Sequence, residues 1–342
     1  MHQHGGHPEF DFERLGIEPR EVLDFSVNIS PLGIPLPVKE NWNNLLADCG
    51  HYPSMDGAGV KRFYEKRFGI PPGSVLPGNG SIDLIYDIPR TLNVKRALVP
   101  QPSFHDYAHA CKAIGAEVIT GELDQLEGCD ALFVGNPNNP TGKLIPAEVL
   151  LQLADNFPET LFFVDEAFIQ FIEAPEAFTL MRPERLRNNV IVFHSLTKTY
   201  ALPGLRLGAC ISTPETIQRL AESRAPWMVG GIAERAAELL ADCSDYEEML
   251  VPMITKERES VFQALEKHSA FNPVPGAANF LLVQWTGSDN LDDLLRQLLE
   301  HGLYVRDCRN FETLEENWFR IAIRRPGENT QLIKALLRIA TD

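Results

Sequence analysis

The segment that decides the fold is SLTKTYALPGLRLG, residues 195–208, in which a lone lysine follows an apolar run long enough for a buried strand. Ser195 and Thr197 lie close to Lys198, and Arg206 follows eight positions later. Hydroxyl and guanidinium groups of this kind suit a phosphate. The lysine is either an ordinary ion-pair partner beside a strand end, or an amine that forms a Schiff base once its surroundings lower its pKa.

Short apolar runs alternate with helical patterns over a large part of the chain. The runs predicted to be buried strands are ALVP (97–100), EVIT (117–120), ALFVGN (131–136), LFFVDEAF (161–168), VIVFHS (190–195) and RLGACIS (206–212). Amphipathic segments such as 146–157 separate several of them. This alternation predicts an α/β fold with a mostly parallel central sheet between helices, whose ligands bind outside the carboxyl ends of the strands.

After about residue 231 the pattern changes to that of a smaller α+β unit. We predict a long helical region over 232–268 and strands at 279–285, 303–308 and 318–324. Residues 1–40 are interrupted by the proline-rich stretch SPLGIPLP and cannot form a domain alone. We therefore expect them to pack on the C-terminal part. The predicted domains are a large cofactor-binding α/β domain, 41–231, and a small α+β domain formed by both chain ends, 1–40 and 232–342.

Composition narrows the possible functions. The 342 residues include 31 basic and 47 acidic residues, which gives a net charge of −16. Such a surface repels nucleic acid and anionic membranes, so neither is an expected partner, and an anionic ligand needs a local cluster of positive groups. Six cysteines without CxxC spacing indicate reduced thiols. With no signal core and no apolar run of membrane-spanning length, we expect a soluble, cytoplasmic protein.

Three further polar segments fall near the ends of predicted strands. In PGNGSIDLIYDI (77–88), Gly80 and Ser81 precede an amphipathic helix that either holds a phosphate or is simply capped by a turn. NPNNPTG (136–142) is either a plain turn or a turn whose three Asn side chains have a further role in the site. Asp165 in VDEAF is a helix cap, a structural ion-pair partner, or the partner of a protonated ring nitrogen. An amine, a phosphate cradle and a buried acid together describe a pyridoxal phosphate site.

The ordered set NPNNPTG, VDEAF and SLTKTYALPGLRLG resembles the aspartate aminotransferase type (fold type I) of pyridoxal phosphate enzymes, over nearly the whole chain. The resemblance implies that Lys198 holds the cofactor and moves protons, Asp165 pairs with the pyridine nitrogen, and Asn139 donates to the phenolic oxygen. Phe104 would stack on the ring. Tyr52 would reach the phosphate from the other subunit, which implies a homodimer with shared active sites. The other implied phosphate ligands are Gly80, Ser81, Ser195, Thr197 and Arg206.

Within that superfamily the chain is most similar to threonine-phosphate decarboxylases and histidinol-phosphate aminotransferases. HGGH and DFSVNISPLGIP resemble the N-terminal pattern of the decarboxylases, with Ser30 in place of the usual second Asn. This resemblance implies that His4 and Asn28 face the substrate, with His4 toward its phosphate. A mobile N-terminus or incidental metal binding would also explain the histidines of HQHGGH, and we expect no resident metal.

Phe168 departs from the aminotransferase pattern. The superfamily usually has a tyrosine three residues after the aspartate, where it donates to the phenolic oxygen of the cofactor. Phenylalanine lacks that donor, so Asn139 would be left as the main one, although Phe168 also suits simple packing. Like the N-terminal pattern, the phenylalanine at this position favours a decarboxylase.

Arginines near the C-terminus are candidates for binding substrate anions. Arg320 matches the family arginine that binds the α-carboxylate, and Arg306 and Arg324 are further candidates. Side-chain alternation along a strand places Arg320 and Arg324 on one face, which suits a substrate with both a carboxylate and a phosphate. The alternative is ion pairing with the many acidic residues.

We therefore predict decarboxylation of L-threonine O-3-phosphate, or of serine phosphate, to an amino-alcohol phosphate for cobalamin biosynthesis. A methyl group changes discrimination by only about 1–3 kcal/mol, so the sequence leaves both substrates open. One alternative is a histidinol-phosphate aminotransferase with the same cofactor site. Another is a non-catalytic module of the same fold, although a degenerate module is expected to lose the lysine or the aspartate, and both are present.

Overall fold

The computed structural model describes residues 4–314 and 316–341. The strands are β1 (Leu23–Asp24), β2 (Val75–Asn79), β3 (Arg96–Leu98), β4 (Glu117–Ile119), β5 (Ala131–Gly135), β6 (Leu161–Asp165), β7 (Val190–Ser195), β8 (Leu207–Ile211), β9 (Phe271–Pro273), β10 (Phe280–Trp285), β11 (Leu303–Tyr304), β12 (Arg306–Asp307) and β13 (Trp318–Ala322). The helices are α1 (Pro8–Leu15), α2 (Leu36–Glu40), α3 (Trp42–Ala47), α4 (Ala58–Phe68), α5 (Ser81–Thr91), α6 (His105–Ala113), α7 (Ala147–Asn156), α8 (Leu196–Thr199), α9 (Pro214–Ala221), α10 (Gly231–Leu240), α11 (Ser244–Glu266), α12 (Leu291–Glu300) and α13 (Pro326–Ile339).

The largest sheet has the strand order β2-β8-β7-β6-β5-β3-β4. From β7 to β4 all neighbouring strands are parallel, whereas β8 is antiparallel to both β7 and β2. The central strands are continuous apolar runs because helices cover both faces of the sheet. Phe133, Phe163 and Phe193 stack across three of them, with neighbouring ring centroids 4.4 and 5.8 Å apart. The predicted fold class is therefore confirmed.

Several predicted element boundaries are wrong. The strand predicted at 161–168 ends at Asp165, and the helical region 232–268 is two helices, α10 and α11. The strand predicted at 303–308 is also two: β11 pairs with β1, whereas β12 pairs with β13. The strand predicted at 318–324 ends at Ala322, because the backbone N–H of Arg324 donates to the side chain of Asn329 instead of to a neighbouring strand.

The N-terminal segment packs on the C-terminal part and also contacts α8, the short helix that contains Lys198. β1 is parallel to β11, and the N–H of Ser30 donates to the carbonyl of Lys198 at 2.9 Å. The strands β12-β13-β10-β9 form a separate antiparallel sheet. The division into domains 41–231 and 1–40 with 232–342 remains a prediction. Within the described residues, no helix has the length and apolar content needed to cross a bilayer, and the cytoplasmic location also remains a prediction.

Candidate active site

A cavity of about 510 Å³ opens beyond the carboxyl ends of β5, β6 and β7. Each of these strands is followed directly by a polar segment, so the parallel arrangement gathers these segments at one edge of the sheet. Three predicted site residues, Gly80, Tyr52 and Arg324, are not part of the cavity wall. The predicted residues that line it are His4, Asn28, Ser81, Phe104, Asn139, Asp165, Ser195, Thr197, Lys198, Arg206, Arg306 and Arg320.

Lys198 lies in the one-turn helix α8, immediately after the fully buried strand β7. Its pKa is lowered to about 8, chiefly by burial and then by the positive charges of Arg320 and Arg206, while Asp165 acts in the opposite direction. A large share of the amine is therefore neutral at mildly alkaline pH. A neutral amine is what nucleophilic attack on a carbonyl requires.

Asp165 ends β6 and is 8% exposed. Its Oδ2 accepts a hydrogen bond from the hydroxyl of Tyr107 at 2.8 Å, and its Oδ1 accepts one from the N–H of Ala167 at 3.0 Å. Burial raises the pKa of Asp165, while both hydrogen bonds and the charge of Lys198 lower it. A carboxylate held in this environment favours a cationic partner in the cavity.

Glu166, the second acid of VDEAF, is kept apart from the cavity. Its carboxylate accepts hydrogen bonds from the hydroxyl of Thr179 at 2.5 Å and from the N–H of Leu180 at 2.6 Å. Burial raises the pKa of Glu166 to about 7. Glu166 therefore anchors the segment that follows β6, and Asp165 is the acid that faces the site.

A cradle of hydroxyl and guanidinium groups lies at the N-terminus of α5. The hydroxyls of Ser195 and Thr197 are 2.8 Å apart, and both residues line the cavity together with Ser81. Gly80 caps α5 with a φ of 79°, and a Cβ there would lie 2.6 Å from a guanidinium nitrogen of Arg206. Gly80 thus gives Arg206 room above the helix start, where N–H groups, hydroxyls and a guanidinium together suit a phosphate.

Arg306 and Arg320 are direct cross-strand partners of β12 and β13, and both are buried. Arg320 donates to Asn139 Oδ1 and, at 3.0 Å, to the carbonyl of Ser26. The hydrogen-bond acceptors that the described residues offer Arg320 are thus uncharged, and burial lowers its pKa to about 10. Arg306 donates to the carbonyl of Asp307 and to Asn310 Oδ1. Two guanidinium groups therefore lie side by side in the cavity wall.

Arg324 was predicted to share a strand face with Arg320, but it does not line the cavity. It follows the end of β13. Its guanidinium donates to the carbonyl of Asp24 at 2.9 Å and to the carboxylate of Glu328 at 3.0 Å. The ion-pair alternative is thus the correct one for Arg324, and Arg306 takes its place beside Arg320. Arg309, nearby, pairs with Asp307 and Asp292.

The N-terminal HGG segment reaches the cavity by close backbone packing. A Cβ at Gly5 would lie 2.4 Å from the carbonyl oxygen of Ser26, and the N–H of Gly6 donates to Ser26 Oγ at 2.7 Å. Only a glycine at position 5 allows this approach, which places His4 in the cavity wall. Asn28 is also in the wall, with a buried Oδ1 that has no hydrogen-bond partner among the described residues.

The three aromatic positions singled out in the sequence lie in different environments. Phe104 and Phe168 line the cavity, where Phe168 packs edge-on against Phe280 with ring centroids 5.1 Å apart. Tyr52 is 85% exposed and contacts Trp227 on the surface. Within one chain, Tyr52 therefore takes no part in the cavity.

Sequence reasoning missed Tyr107, which hydrogen-bonds to Asp165. It lies in the first turn of α6, three residues after the N-cap residue Phe104, and this spacing in QPSFHDY was the signal that could have found it. His105 and Asp106 also line the cavity and were likewise not predicted.

The cavity residues fit pyridoxal 5'-phosphate. Lys198 offers an amine with a lowered pKa, and Asp165 is a buried carboxylate suited to a protonated ring nitrogen. At the other end, the missing side chain of Gly80 leaves room for Arg206 above a helix N-terminus. Together with the mostly parallel sheet, these features define the class of protein, a fold type I pyridoxal phosphate enzyme.

The family model described as aminotransferase class I and II matches residues 21–336, and the chain belongs to this family. Its members depend on pyridoxal phosphate, so the predicted cofactor is confirmed. The chain is 32% identical to the threonine-phosphate decarboxylase of Salmonella typhimurium, over 99% of this chain and 96% of the relative. It is 27% identical to histidinol-phosphate aminotransferase 2 of Ralstonia nicotianae, over 94% and 90% respectively. The crystal structure of L-threonine-O-3-phosphate decarboxylase from Porphyromonas gingivalis superposes with a TM-score of 0.85 at 25% identity, over 93% of this chain and 99% of that one.

Proposed function

We propose that the enzyme decarboxylates L-threonine O-3-phosphate, or serine phosphate, and releases an amino-alcohol phosphate for cobalamin biosynthesis. The observation that carries this proposal is the cross-strand pairing of the buried residues Arg306 and Arg320 in the cavity wall. Like charges directly opposite each other on adjacent strands are destabilising, so a ligand with two anionic groups would relieve the repulsion. A phosphorylated amino acid carries a carboxylate and a phosphate.

The surroundings of the two arginines indicate how the substrate is oriented in the cavity. The charge of Arg320 lowers the pKa of Lys198, and its guanidinium donates to Asn139, so Arg320 is at the cofactor end. The pKa of His105 is lowered to about 4, chiefly by burial, and Arg306 is among the charges that contribute. Arg306 is therefore at the end that also holds His4. We assign the α-carboxylate to Arg320 and the phosphate to Arg306 with His4 and Asn28.

We assign the cofactor contacts as the family resemblance implies. Lys198 holds the cofactor, Asp165 pairs with its ring nitrogen, and Asn139 donates to its phenolic oxygen. Phe104 stacks on the ring, and Phe168 leaves the phenolic oxygen with one donor fewer than usual. The phosphate lies in the cradle of Gly80, Ser81, Ser195, Thr197 and Arg206.

The chain's own part in the reaction is to orient the substrate and to move a proton. The bound cofactor supplies an electron sink for the bond broken at the substrate α-carbon. Arg320, fixed by Ser26 and Asn139, holds the carboxylate in one orientation and so determines which bond is broken. The amine of Lys198, with a pKa of about 8, is suited to return a proton to the α-carbon.

The proposed reaction is tested by product analysis with threonine phosphate and no 2-oxo acid. We expect repeated turnover with one carbon dioxide and one aminopropanol phosphate per substrate. A histidinol-phosphate aminotransferase, which similarity to the Ralstonia relative supports as the second candidate, turns over only when a 2-oxo acid accepts the amino group. Turnover that depends on an added 2-oxo acid, without carbon dioxide, would contradict the decarboxylase.

The lowered pKa of Lys198 predicts how cofactor attachment depends on pH. In cofactor-free protein we expect the rate to rise about tenfold per pH unit below the pKa, as the neutral amine fraction does, and to level off above pH about 8. Stopped-flow absorbance measures this rate. Because the charge of Arg320 helps to lower the pKa, Arg320→Gln should move the inflection to higher pH, whereas Arg324→Gln should not. An inflection that stays in place in Arg320→Gln would contradict the assignment.

Tyr107→Phe is expected to weaken cofactor binding. The variant loses a hydrogen bond to the ionised form of Asp165, so the pKa of Asp165 rises and the carboxylate pairs less well with a protonated ring nitrogen. Hydrogen bonds to charged groups contribute about 1.5–3 kcal/mol, which is about 10- to 150-fold in affinity. Equilibrium dialysis measures the cofactor dissociation constant. Tyr64→Phe is the matched control, because it removes a buried hydroxyl that bonds to His194 instead; an equal loss there would contradict a specific role for Tyr107.

We also propose that the enzyme is a homodimer in which Tyr52 reaches the partner's cofactor phosphate. Tyr52 and Trp227 form an exposed aromatic pair, and the exposed Met55 accepts a backbone hydrogen bond from Trp227. Large exposed apolar side chains that lie together are typical of an interface. Light scattering that gave a monomer would contradict this arrangement.

A further inference from the structure

Two histidines and an aspartate form a cluster at the phosphate end of the cavity. His105 and Asp106 begin α6, and His4 approaches them from the N-terminal segment. One ligand atom from each residue lies within 4.8 Å of the other two. Neither the cofactor contacts nor the substrate contacts proposed above use His105 or Asp106.

The distances within the cluster are longer than hydrogen bonds, and one of them matches the spacing of zinc ligands. Asp106 Oδ2 is 3.4 Å from His105 Nε2 and 3.8 Å from His4 Nε2. Hydrogen bonds between nitrogen and oxygen have lengths of about 2.7–3.2 Å. Zinc–ligand bonds of about 2.0–2.1 Å at tetrahedral angles place neighbouring ligand atoms about 3.3–3.4 Å apart.

His105 and Asp106 contribute to this cluster buried atoms that have no hydrogen bonds within the described part of the chain. Both ring nitrogens of His105 and Oδ2 of Asp106 have no hydrogen-bond partner among the described residues, and Asp106 is only 6% exposed. Leaving a buried polar group unsatisfied costs about 1–3 kcal/mol. The other oxygen of Asp106, Oδ1, accepts a hydrogen bond from the hydroxyl of Tyr86 at 2.6 Å, which orients Oδ2 toward the histidines. A partner that orients a ligating carboxylate in this way is typical of metal sites.

We propose that His4, His105 and Asp106 bind one divalent transition-metal ion of the zinc class, with a fourth position open to the cavity. Three protein ligands and one open position are the arrangement of reactive zinc sites. Imidazole ligands favour zinc and its neighbours over magnesium and calcium, which prefer oxygen ligands. The ion would hold the N-terminal segment on α6 and add positive charge beside Arg306. The expectation of no metal rests on the sequence, in which the two segments that supply these ligands are far apart.

His4 is also assigned to the substrate phosphate, so metal binding at this cluster is tested by binding alone, in the absence of substrate. We measure competition between the cofactor-loaded enzyme and a chromophoric zinc chelator for Zn²⁺, with no phosphate in the buffer. The variants are His105→Ala and Asp106→Asn, and each should weaken zinc binding by about 100-fold or more, since even partners that only orient a ligand contribute about 10- to 100-fold. His109→Ala is the control for packing around His105, because His109 is an exposed histidine whose ring contacts His105 but which is not part of the cluster.

The possible results distinguish a specific zinc site from nonspecific binding and from no binding. One zinc per chain in the unmodified protein and in His109→Ala, lost in the other two variants, supports the site. Equal zinc binding by all four proteins, or none by the unmodified protein, overturns it. The cofactor absorbance of each variant shows whether it is folded. Co²⁺ provides a second readout: intense visible bands that disappear in Asp106→Asn support tetrahedral coordination, whereas weak octahedral bands contradict it.

Discussion

Replacing Lys198 with alanine is expected to reduce turnover by at least about 10⁴-fold, because the variant loses both the covalent attachment of the cofactor and a positioned proton carrier. The cradle around Arg206 remains, so the variant should still bind pyridoxal phosphate, but dialysis should remove it. In the unmodified enzyme, borohydride reduction followed by peptide mapping should find the cofactor on the peptide that contains Lys198. These two measurements separate loss of attachment from loss of folding.

Lys112→Ala is the control for this experiment. Lys112 is an exposed lysine on α6, so its removal should leave both turnover and the reduced cofactor adduct intact. A Lys198→Ala variant that still turned over, or a reduced adduct found on another lysine, would contradict the assignment of Lys198. Failure of this prediction would also remove the basis for the proposed decarboxylation, whereas zinc binding at His105 and Asp106 would be unaffected.

The meeting of the polar segments at the cofactor end could be predicted from the sheet, whereas the roles of their residues came from the family resemblance. Strands buried on both faces are continuous apolar runs, which are visible in the sequence, and their carboxyl ends share one edge of the sheet. The residues that follow β5, β6 and β7 must therefore meet, and Asn139, Asp165 and Lys198 do line one cavity. No knowledge of side-chain packing was needed for this part.

The substrate end could not be predicted in the same way, because it depends on where strands end and how they pair. Alternation along 318–324 predicted Arg324 beside Arg320, but β13 ends at Ala322 and the neighbour of Arg320 is Arg306. Pairing register is set by contacts between strands, which one sequence does not reveal. Tyr107 was missed for a related reason, since its partner Asp165 is 58 positions away.

The edge strand β2 was missed for a different reason. Its sequence, VLPGN, contains a proline and a glycine, which are typical of turns. Proline in a sheet is confined to edge strands, strand starts and bulges, and β2 is an edge strand that pairs only with β8 among the described strands. The strand nevertheless matters for the site, because it leads directly into Gly80 and the start of α5.

Replacing Arg306 or Arg320 should lower kcat/KM for different sets of substrates. Removing one partner of a buried, hydrogen-bonded charge pair costs about 2–5 kcal/mol, which is about 30-fold to several thousandfold in kcat/KM. Arg320→Gln should cause a loss of this size for threonine phosphate and for threonine alike, because both carry the α-carboxylate. Arg306→Gln should cause it for threonine phosphate only, so the preference for the phosphorylated substrate should fall. Arg324→Gln, which changes an ion pair outside the cavity, is the matched control.

The stability of the same variants shows whether a loss of activity is a loss of folding. Arg306 and Arg320 are like charges at cross-strand positions, so replacing either with neutral glutamine relieves a repulsion that offsets the hydrogen bonds lost, and the melting temperature should change little. Lower activity with unchanged or higher stability is the signature of a residue kept for ligand binding at a cost in stability. If Arg306→Gln lowered activity toward both substrates equally, Arg306 would not be the phosphate ligand. The phosphorylated amino acid would then lose its main support as the substrate.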